Sequence, residues 1–463
     1  MRYTNYLLKA RRADGNLSLM NTLWRSVISL NKEYEDLVNS LIDNKIDLDN
    51  LSDEKKKAIN KIHEMGILTS MNPEEETSEV LTMLDEWRTR RSTFSITFAP
   101  TFACNFRCTY CIQKGNYVER PSSTTKTIND LKSFINYHLD NHPSIDSLYG
   151  GIFGGEPTLH WQGGLDFATM LIEICQERGF PKPRFQIVSN GYLLNEERFR
   201  SLLALNVHVF QVTVDGMDDV HNKRRLHVSG KDTFKTIIDN ILTSARVGIE
   251  VHLLVVMDED NENDLVPFID YIGQLADQHP ECNLRSMLDF GIAPVVPGSH
   301  NVHRNEELYV GKEERLYERA LMAQVHARKL GFDTNDAFRV NVCSREAMSS
   351  IRCSPDGYLY KCFSTFGDRK YSAGKLGENP AKLESALIEL SKPAPLMKQC
   401  LSCNILPLCR GGCQYMASQE HEGEYNHTNC EKDRYLLSYL QSSLAKGLFG
   451  RIYNTKEPLA VYV

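Results

Sequence analysis

Cysteine placement constrains this chain more than any other feature. Thirteen cysteines occur in 463 residues, none before Cys104, and eight fall between Cys343 and Cys430. The opening, MRYTNYLLKARRADG, has no apolar core and is not a secretion signal. A cytoplasmic protein is therefore expected, where clustered cysteines read as metal sites and not as disulfides. No apolar run reaches the ~18 residues of a membrane-spanning helix. A net charge of −7 argues against nucleic acid as the main partner. At ~100–200 residues per domain the length suggests about three domains.

The pattern along the chain changes twice. In residues 1–90, TNYLLKA and LSLMNTLWRSVISL read as two strands around the turn at Asp14-Gly15. A helix capped by Asn31 follows, then one capped by Ser52 and ending before Gly66, then one from Pro73. This small module carries no evident chemical groups, so binding is its expected task. Residues 91–335 alternate strand-like runs (FSITFA, SLYGGIF, RFQIVSN, VHVFQVTV, EVHLLVVM, MLDFGIAP) with amphipathic helical stretches. About six βα units predict an α/β fold with a parallel sheet, too few for a closed eight-stranded barrel. A partial (β/α)6 barrel is the expectation. Residues 336–440 are short segments rich in cysteine, glycine and proline. Residues 441–463 read as the end of a helix and an extended tail.

The sharpest local motif is Cys104-x3-Cys108-x2-Cys111, just after the first barrel strand. Three thiolates can each hold one iron of a 4Fe–4S cube and leave the fourth iron without a protein ligand, whereas ordinary ligation uses four cysteines. A zinc knuckle or a cluster completed by a distant cysteine is the alternative, although C-x3-C is a poor zinc spacing. The motif, with Tyr110 before its third cysteine, resembles that of the radical S-adenosylmethionine superfamily. The resemblance continues in Gly154-Gly155-Glu156-Pro157 after the second strand, Ser189-Asn190-Gly191 after the third, and Asp215-Gly216 with His221 and Arg225 after the fourth. It implies that Glu156 meets the methionine ammonium of the cofactor. It also implies that Ser189 and Asn190 meet its ribose or carboxylate, and that Arg225 pairs with its carboxylate. The chemistry implied is reductive cleavage of S-adenosyl-L-methionine to a 5′-deoxyadenosyl radical, fed by an electron donor such as flavodoxin or ferredoxin.

The later cysteines follow a second pattern: Cys343-x13-Gly357-x4-Cys362, then Cys400-x2-Cys403-x5-Cys409-x3-Cys413, then Cys430. This resembles the SPASM domain of radical enzymes that modify peptides, and Cys353 makes an eighth cysteine. By similarity, Cys343, Cys353, Cys362 and Cys413 would hold one auxiliary 4Fe–4S cluster, and Cys400, Cys403, Cys409 and Cys430 another, giving three clusters in all. Cys175 and Cys282 read as core thiols. Residues 1–90 resemble the winged-helix recognition element that grips the leader of a ribosomal precursor peptide by adding it as a strand. Together these imply a peptide maturase that forms an intramolecular cross-link, foremost a cysteine thioether. The alternatives are a carbon–carbon or cyclophane link, or formylglycine formation in sulfatases. Against the last, Phe363 follows Cys362, where sulfatase maturases typically carry an aspartate.

Overall fold

Caps and turns lay out the first ninety residues. The strands are β1 (Arg2–Tyr3), β2 (Leu7–Arg11), β3 (Leu17–Asn21), β4 (Val27–Leu30) and β5 (Leu68–Thr69). β2, β3 and β4 form an antiparallel meander, and β1 pairs with β5. The second strand expected from sequence is thus two strands. It breaks after Asn21, whose Oδ1 accepts the N–H groups of Leu23 (2.8 Å) and Trp24 (3.1 Å), and Arg25 takes φ 58° to complete the turn. Helices α1 (Lys32–Ile42), α2 (Asp53–Glu64) and α3 (Pro73–Thr89) follow, with Asn31 and Ser52 as side-chain caps of the first two. Leu19, Val38, Ile59, Ile62 and Ile67 form the core that the meander shares with α1 and α2.

These features come from a computed structural model, which describes residues 1–90, 92–111, 113, 120–295, 313–334, 343–393, 395–420, 430 and 436–446. The chain divides into two compact units. One joins Met1–Arg88 to the described residues from Pro393 onward; the other joins the described residues of 89–335 to Cys343–Lys392.

In the second unit the strands are β6 (Thr93–Phe98), β7 (Phe106–Cys108), β8 (Ser147–Ile152), β9 (Arg184–Val188), β10 (Val207–Thr213), β11 (Arg225–His227), β12 (Glu250–Met257), β13 (Leu288–Pro294), β14 (Asp333–Thr334), β15 (Ser350–Cys353), β16 (Tyr358–Tyr360) and β17 (Gly374–Lys375). Ten of them form one sheet in the order β14-β13-β12-β10-β9-β8-β6-β15-β16-β17. The six expected barrel strands are β6, β8, β9, β10, β12 and β13, and all pair in parallel. The helices are α4 (Thr125–Asn141), α5 (Trp161–Arg178), α6 (Glu196–Ala204), α7 (Asp218–Arg224), α8 (Phe234–Val247), α9 (Leu265–Gln278), α10 (Leu284–Met287), α11 (Glu313–Lys329) and α12 (Pro380–Leu390). This is an α/β partial barrel. The two faces of β12 differ: Val251, Leu253, Val255 and Met257 are buried, while His252, Leu254 and Val256 on the other face are half-buried.

Sequence reasoning missed the sheet's far edge. The segment after Cys343 supplies β15, which extends the sheet in parallel beside β6 and then turns back through β16 and β17.

The C-terminal part of the first unit contains α13 (Leu406–Cys409), α14 (Gln414–Glu420) and α15 (Leu437–Ala445). It shares a core with the N-terminal module, in which Tyr6, Leu23 and Val80 pack with Cys400 and Leu406. Thr22 Oγ1 donates to Asn404 O (2.6 Å), and Asn404 Nδ2 donates to Leu7 O (3.1 Å). The expected extended tail lies outside the described residues. No helix among the described residues is long and apolar enough to cross a membrane.

Candidate active site

After β6 the chain turns through Ala99–Ala103 into the cysteine loop, and Gly154-Gly155 lies against that turn. Gly155 N–H donates to Thr101 O (3.0 Å) and Glu156 N–H to Ala103 O (2.8 Å). A Cβ on Gly154 would lie 2.4 Å from Thr101 O, and one on Gly155 2.4 Å from Ala103 O. Only glycine permits this approach of two backbones. Both glycines therefore seat the second strand end against the base of the cysteine loop.

The loop is pinned from its other side. β7 pairs antiparallel with β11, which sets Cys108 opposite Arg225. Thr109 N–H donates to Arg224 O (3.0 Å) and Val228 N–H to Asn105 O (2.9 Å). Cys104 Sγ accepts the N–H of Phe106 at 3.3 Å. Burial pushes the Cys104 thiol up to about 12, and nearby Glu156, Cys108 and Cys111 add to that rise. Burial likewise lifts Cys108 to about 11, opposed by Arg225 and reinforced by Cys111. The three cysteines thus lie within one electrostatic neighbourhood, each half-buried. An iron cation would displace their protons, and a set of three fits a cube with one iron left without a protein ligand.

Glu156 is completely buried. Its Oε1 accepts from Thr158 N–H (3.0 Å), Thr158 Oγ1 (2.5 Å) and Ser189 Oγ (2.8 Å), and its Oε2 from Asn190 N–H (2.7 Å). Burial raises its pKa, and these donors oppose the rise. A carboxylate offers about four lone-pair sites, so a cofactor ammonium must share or displace one of these donors. Asn190 Nδ2 in turn donates to Asn105 Oδ1 (2.8 Å), beside Cys104. Ser189, Asn190 and Glu156 therefore lace the ends of β8 and β9 to the cysteine loop.

Arg225 looks like a surface charge in the run Lys223-Arg224-Arg225, yet it is buried. Its Nη1 donates to Tyr110 Oη (2.8 Å), and that hydroxyl donates to Asp215 Oδ2 (2.5 Å). Burial raises the Asp215 carboxyl above its ordinary range, with Arg225 and Arg224 pulling it down. Arg224 itself pairs with Asp258 at 2.6 Å. His221 is fully buried, 3.2 Å from Thr233 Oγ1, and burial holds its pKa well below the usual value, so it is a neutral structural residue.

The later cysteines are distributed between the two units. Cys343, Cys353 and Cys362 belong with the barrel, and Cys400, Cys403, Cys409, Cys413 and Cys430 with the N-terminal module. Cys400 is raised by burial and by Cys403 and Cys430, which brings those three together. Cys409 closes α13, and Cys413 directly precedes α14. Cys343 and Cys362 both act on the buried Arg352, whose pKa burial lowers to about 10 against their pull. The Arg352 guanidinium stacks 3.7 Å over the Phe363 ring and donates to Ser344 Oγ (2.5 Å). No carboxylate among the described residues pairs with it. An unpaired buried cation is costly, and thiolates of an iron–sulfur cluster would compensate it, so this corner fits an auxiliary cluster.

Cys353 is placed differently from its expected partners. Neighbouring residues of a strand point to opposite faces, and Arg352 takes the face toward Cys343 and Cys362. Cys353 falls on the other face with Ile351, fully buried in the apolar core, where burial and then Asp356 raise its thiol. The structure does not bring it to Cys343 and Cys362. Sequence reasoning missed a row of polar side chains on alternate strand positions. Tyr149 Oη lies 3.2 Å from Gln186, Gln186 lies 2.8 Å from Gln211, and His252 lies 2.8 Å from Asp289. Its signal was the polar residue breaking each apolar run, as in RFQIV and VHVFQVT.

Comparison with known proteins agrees with this geometry. Residues 98–272 match the Radical SAM superfamily. A cysteine-type anaerobic sulfatase-maturating enzyme of Clostridium novyi (strain NT) is 22% identical over 336 residues, covering 65% of this chain and 81% of that protein. Native anSMEcpe with bound AdoMet has a TM-score of 0.55 at 18% identity, over 77% of this chain and 100% of that one. Streptococcus suis SuiB bound to precursor peptide SuiA has a TM-score of 0.52 at 15% identity, over 92% of this chain and 98% of that one. At such identities the two structures share the fold. The chain carries a radical SAM domain, and it is an enzyme.

Proposed function

We propose that this enzyme matures a ribosomal precursor peptide by removing a hydrogen from a core-residue carbon and closing an intramolecular cross-link, a cysteine thioether. The observation that carries the reading is the set of three half-buried thiols after β6, laced by Glu156, Ser189, Asn190 and Arg225 to the next strand ends. When bound there, a 4Fe–4S cluster and S-adenosyl-L-methionine supply one-electron cleavage of the sulfonium and hydrogen-atom abstraction. Cys104, Cys108 and Cys111 hold the iron. Tyr110, Asp215 and Arg225 keep Cys108 in place and exclude water behind it. The row Tyr149, Gln186, Gln211 and His252 offers donors and acceptors to a peptide.

A thioether forms with net loss of two hydrogens, so an electron acceptor is required. Cys343, Cys362, Cys400, Cys403, Cys409, Cys413 and Cys430 are the residues proposed to hold it as auxiliary clusters, with Cys353 outside the set. Residues 1–90 are proposed to grip the leader. β4 is an edge strand of its meander, and an edge can accept a peptide as a further strand. A cleft of about 400 Å³ lined by Tyr6, Leu23, Trp24, Met65, Leu68 and Val80 offers a side-chain pocket in the same module.

The Clostridium relative favours a second reading, formylglycine formation. Two observations weigh against it here. Phe363 is held beneath Arg352 and against Phe153 (5.3 Å), so no carboxylate base stands after Cys362. The match to SuiB also covers more of the chain than the match to anSMEcpe. Reduced, cluster-replete enzyme incubated with the cofactor and a cysteine-bearing precursor peptide decides the matter by mass spectrometry. Loss of two hydrogens with loss of one alkylatable thiol supports the proposal. An aldehyde captured by a hydrazide reagent would establish the second reading instead.

A further inference from the structure

On the outer side of the barrel three ligand-type side chains meet. His138 lies in the last turn of α4, His142 is the residue that caps the helix four positions on, and Glu384 comes from α12. Glu384 Oε1 lies 2.7 Å from His138 Nδ1 and 2.6 Å from His142 Nε2. All three donor atoms fall within 4.8 Å of one another. Positions i and i+4 share one helix face, so this convergence is built into the backbone. The group is largely shielded from water: His138 is 5% exposed, and Met348, Ile351, Leu387 and Ile388 wall the small cavity beside it.

We propose that His138, His142 and Glu384 form a zinc site that staples α12 to α4, a role independent of the iron–sulfur clusters. Two imidazoles and one carboxylate, with an open fourth position for water, are a zinc donor set. Glu384 Oε1 lies closer to each nitrogen than the roughly 3.3 Å separation implied by a tetrahedron with bonds of ~2.0 Å. Zinc binding therefore requires the Glu384 and histidine side chains to rotate apart. Binding requires His138 to present a lone pair at Nδ1 and His142 at Nε2, each ring keeping its proton on the other nitrogen. The staple would fasten the segment between Cys362 and Cys400 to the first barrel helix, and would stabilise the folded barrel by mass action.

The test uses full-length, cluster-reconstituted protein equilibrated with zinc and desalted, with metals counted by mass spectrometry. About one zinc per chain is expected beyond the iron, with a zinc-dependent rise in melting temperature. His142→Ala and Glu384→Gln should each weaken zinc affinity by at least about tenfold, the lower end of losses seen when even supporting residues of a site are removed, and leave iron unchanged. Zinc X-ray absorption of the wild-type chain needs no variant: a shell of nitrogen and oxygen alone at ~2.0–2.2 Å supports the site. Sulfur near ~2.3 Å would place the zinc at cysteines and overturn the proposal. No retained zinc, or equal zinc in both variants, would reduce the trio to a hydrogen-bonded cluster and overturn it as well.

Discussion

The Cys104–Cys111 loop and the cysteines after residue 343 are both closely spaced thiol sets, yet they are built in opposite ways. The loop is a single short segment whose neighbours come from several strand ends: Gly154-Gly155, Ser189-Asn190, Asp215 and Arg225 all close on it. The later cysteines fall in one stretch of sequence, residues 343–430, but divide between two compact units. Spacing identifies residue types suited to a metal; it does not identify the body that carries them. A segment too poor in apolar residues to build its own core takes burial from a larger neighbour. Cys353 therefore sits in the barrel core, and Cys400 in that of the N-terminal module.

The largest test of this contrast removes the loop's thiols. Cys104, Cys108 and Cys111 all replaced by alanine should abolish 5′-deoxyadenosine, read by chromatography, and cost about four irons of the roughly twelve expected from three cubes. Loss of iron from the later cysteines too would show that the two sets are not independent.

Removing residues 1–90 comes next. Because Tyr6, Leu23 and Val80 cover Cys400 and Leu406, truncation should strip the Cys400 group of about four irons while the loop keeps its own. Leu406→Ala is the milder version, costing about 2–5 kcal/mol in denaturant unfolding. A truncated protein with full iron content would make the N-terminal module separable. For leader binding, the cleaner measurement is hydrogen exchange in the intact chain, where leader peptide should protect the amides of Val27–Leu30.

Cys362→Ala and Cys353→Ala sharpen the contrast inside one segment. Iron analysis should show a loss for Cys362→Ala and none for Cys353→Ala. Equal losses would place Cys353 among the ligands after all. Glu156→Gln should weaken cofactor binding by about 1.5–3 kcal/mol. It should also lower the melting temperature, because the amide oxygen can keep the three donors at Oε1 while the amide nitrogen opposes the Asn190 N–H. Unchanged stability would mean that Glu156 is less committed to Ser189 and Asn190 than its contacts indicate.

The smallest effect is on pH dependence. Burial, helped by Arg184, lowers His208 to about 4 from its usual 6.5, and burial also lowers His221. The unfolded chain then binds more protons than the native one between about 4 and 6.5, so stability falls as the pH drops through that window. His208→Asn should flatten part of the slope of melting temperature against pH; an unaltered slope would assign it to other groups.

Much of the barrel was legible because each parallel strand is an apolar run of 5–8 residues, long enough to read locally. The helix caps Asn31 and Ser52 were legible for the same reason, since a cap acts within three residues. β15, β16 and β17 were not, because runs of two to four residues carry no period and gain strand character only by pairing with distant partners. The turn that splits β3 from β4 depends on one asparagine side chain folding back on its own backbone, which composition does not reveal.

By itself, the sequence determined the chemistry on offer: three thiols at a spacing suited to iron, two glycines before a glutamate, and six strands whose ends carry them. Those are local properties, set by residue type and separation along the chain. Only the tertiary structure decided which charges are buried, which face Cys353 takes, and which core shelters each later cysteine. The reason is that burial is decided by partners far away in sequence. Arg225 is a surface residue by its neighbours in the chain and an interior one by its neighbours in space.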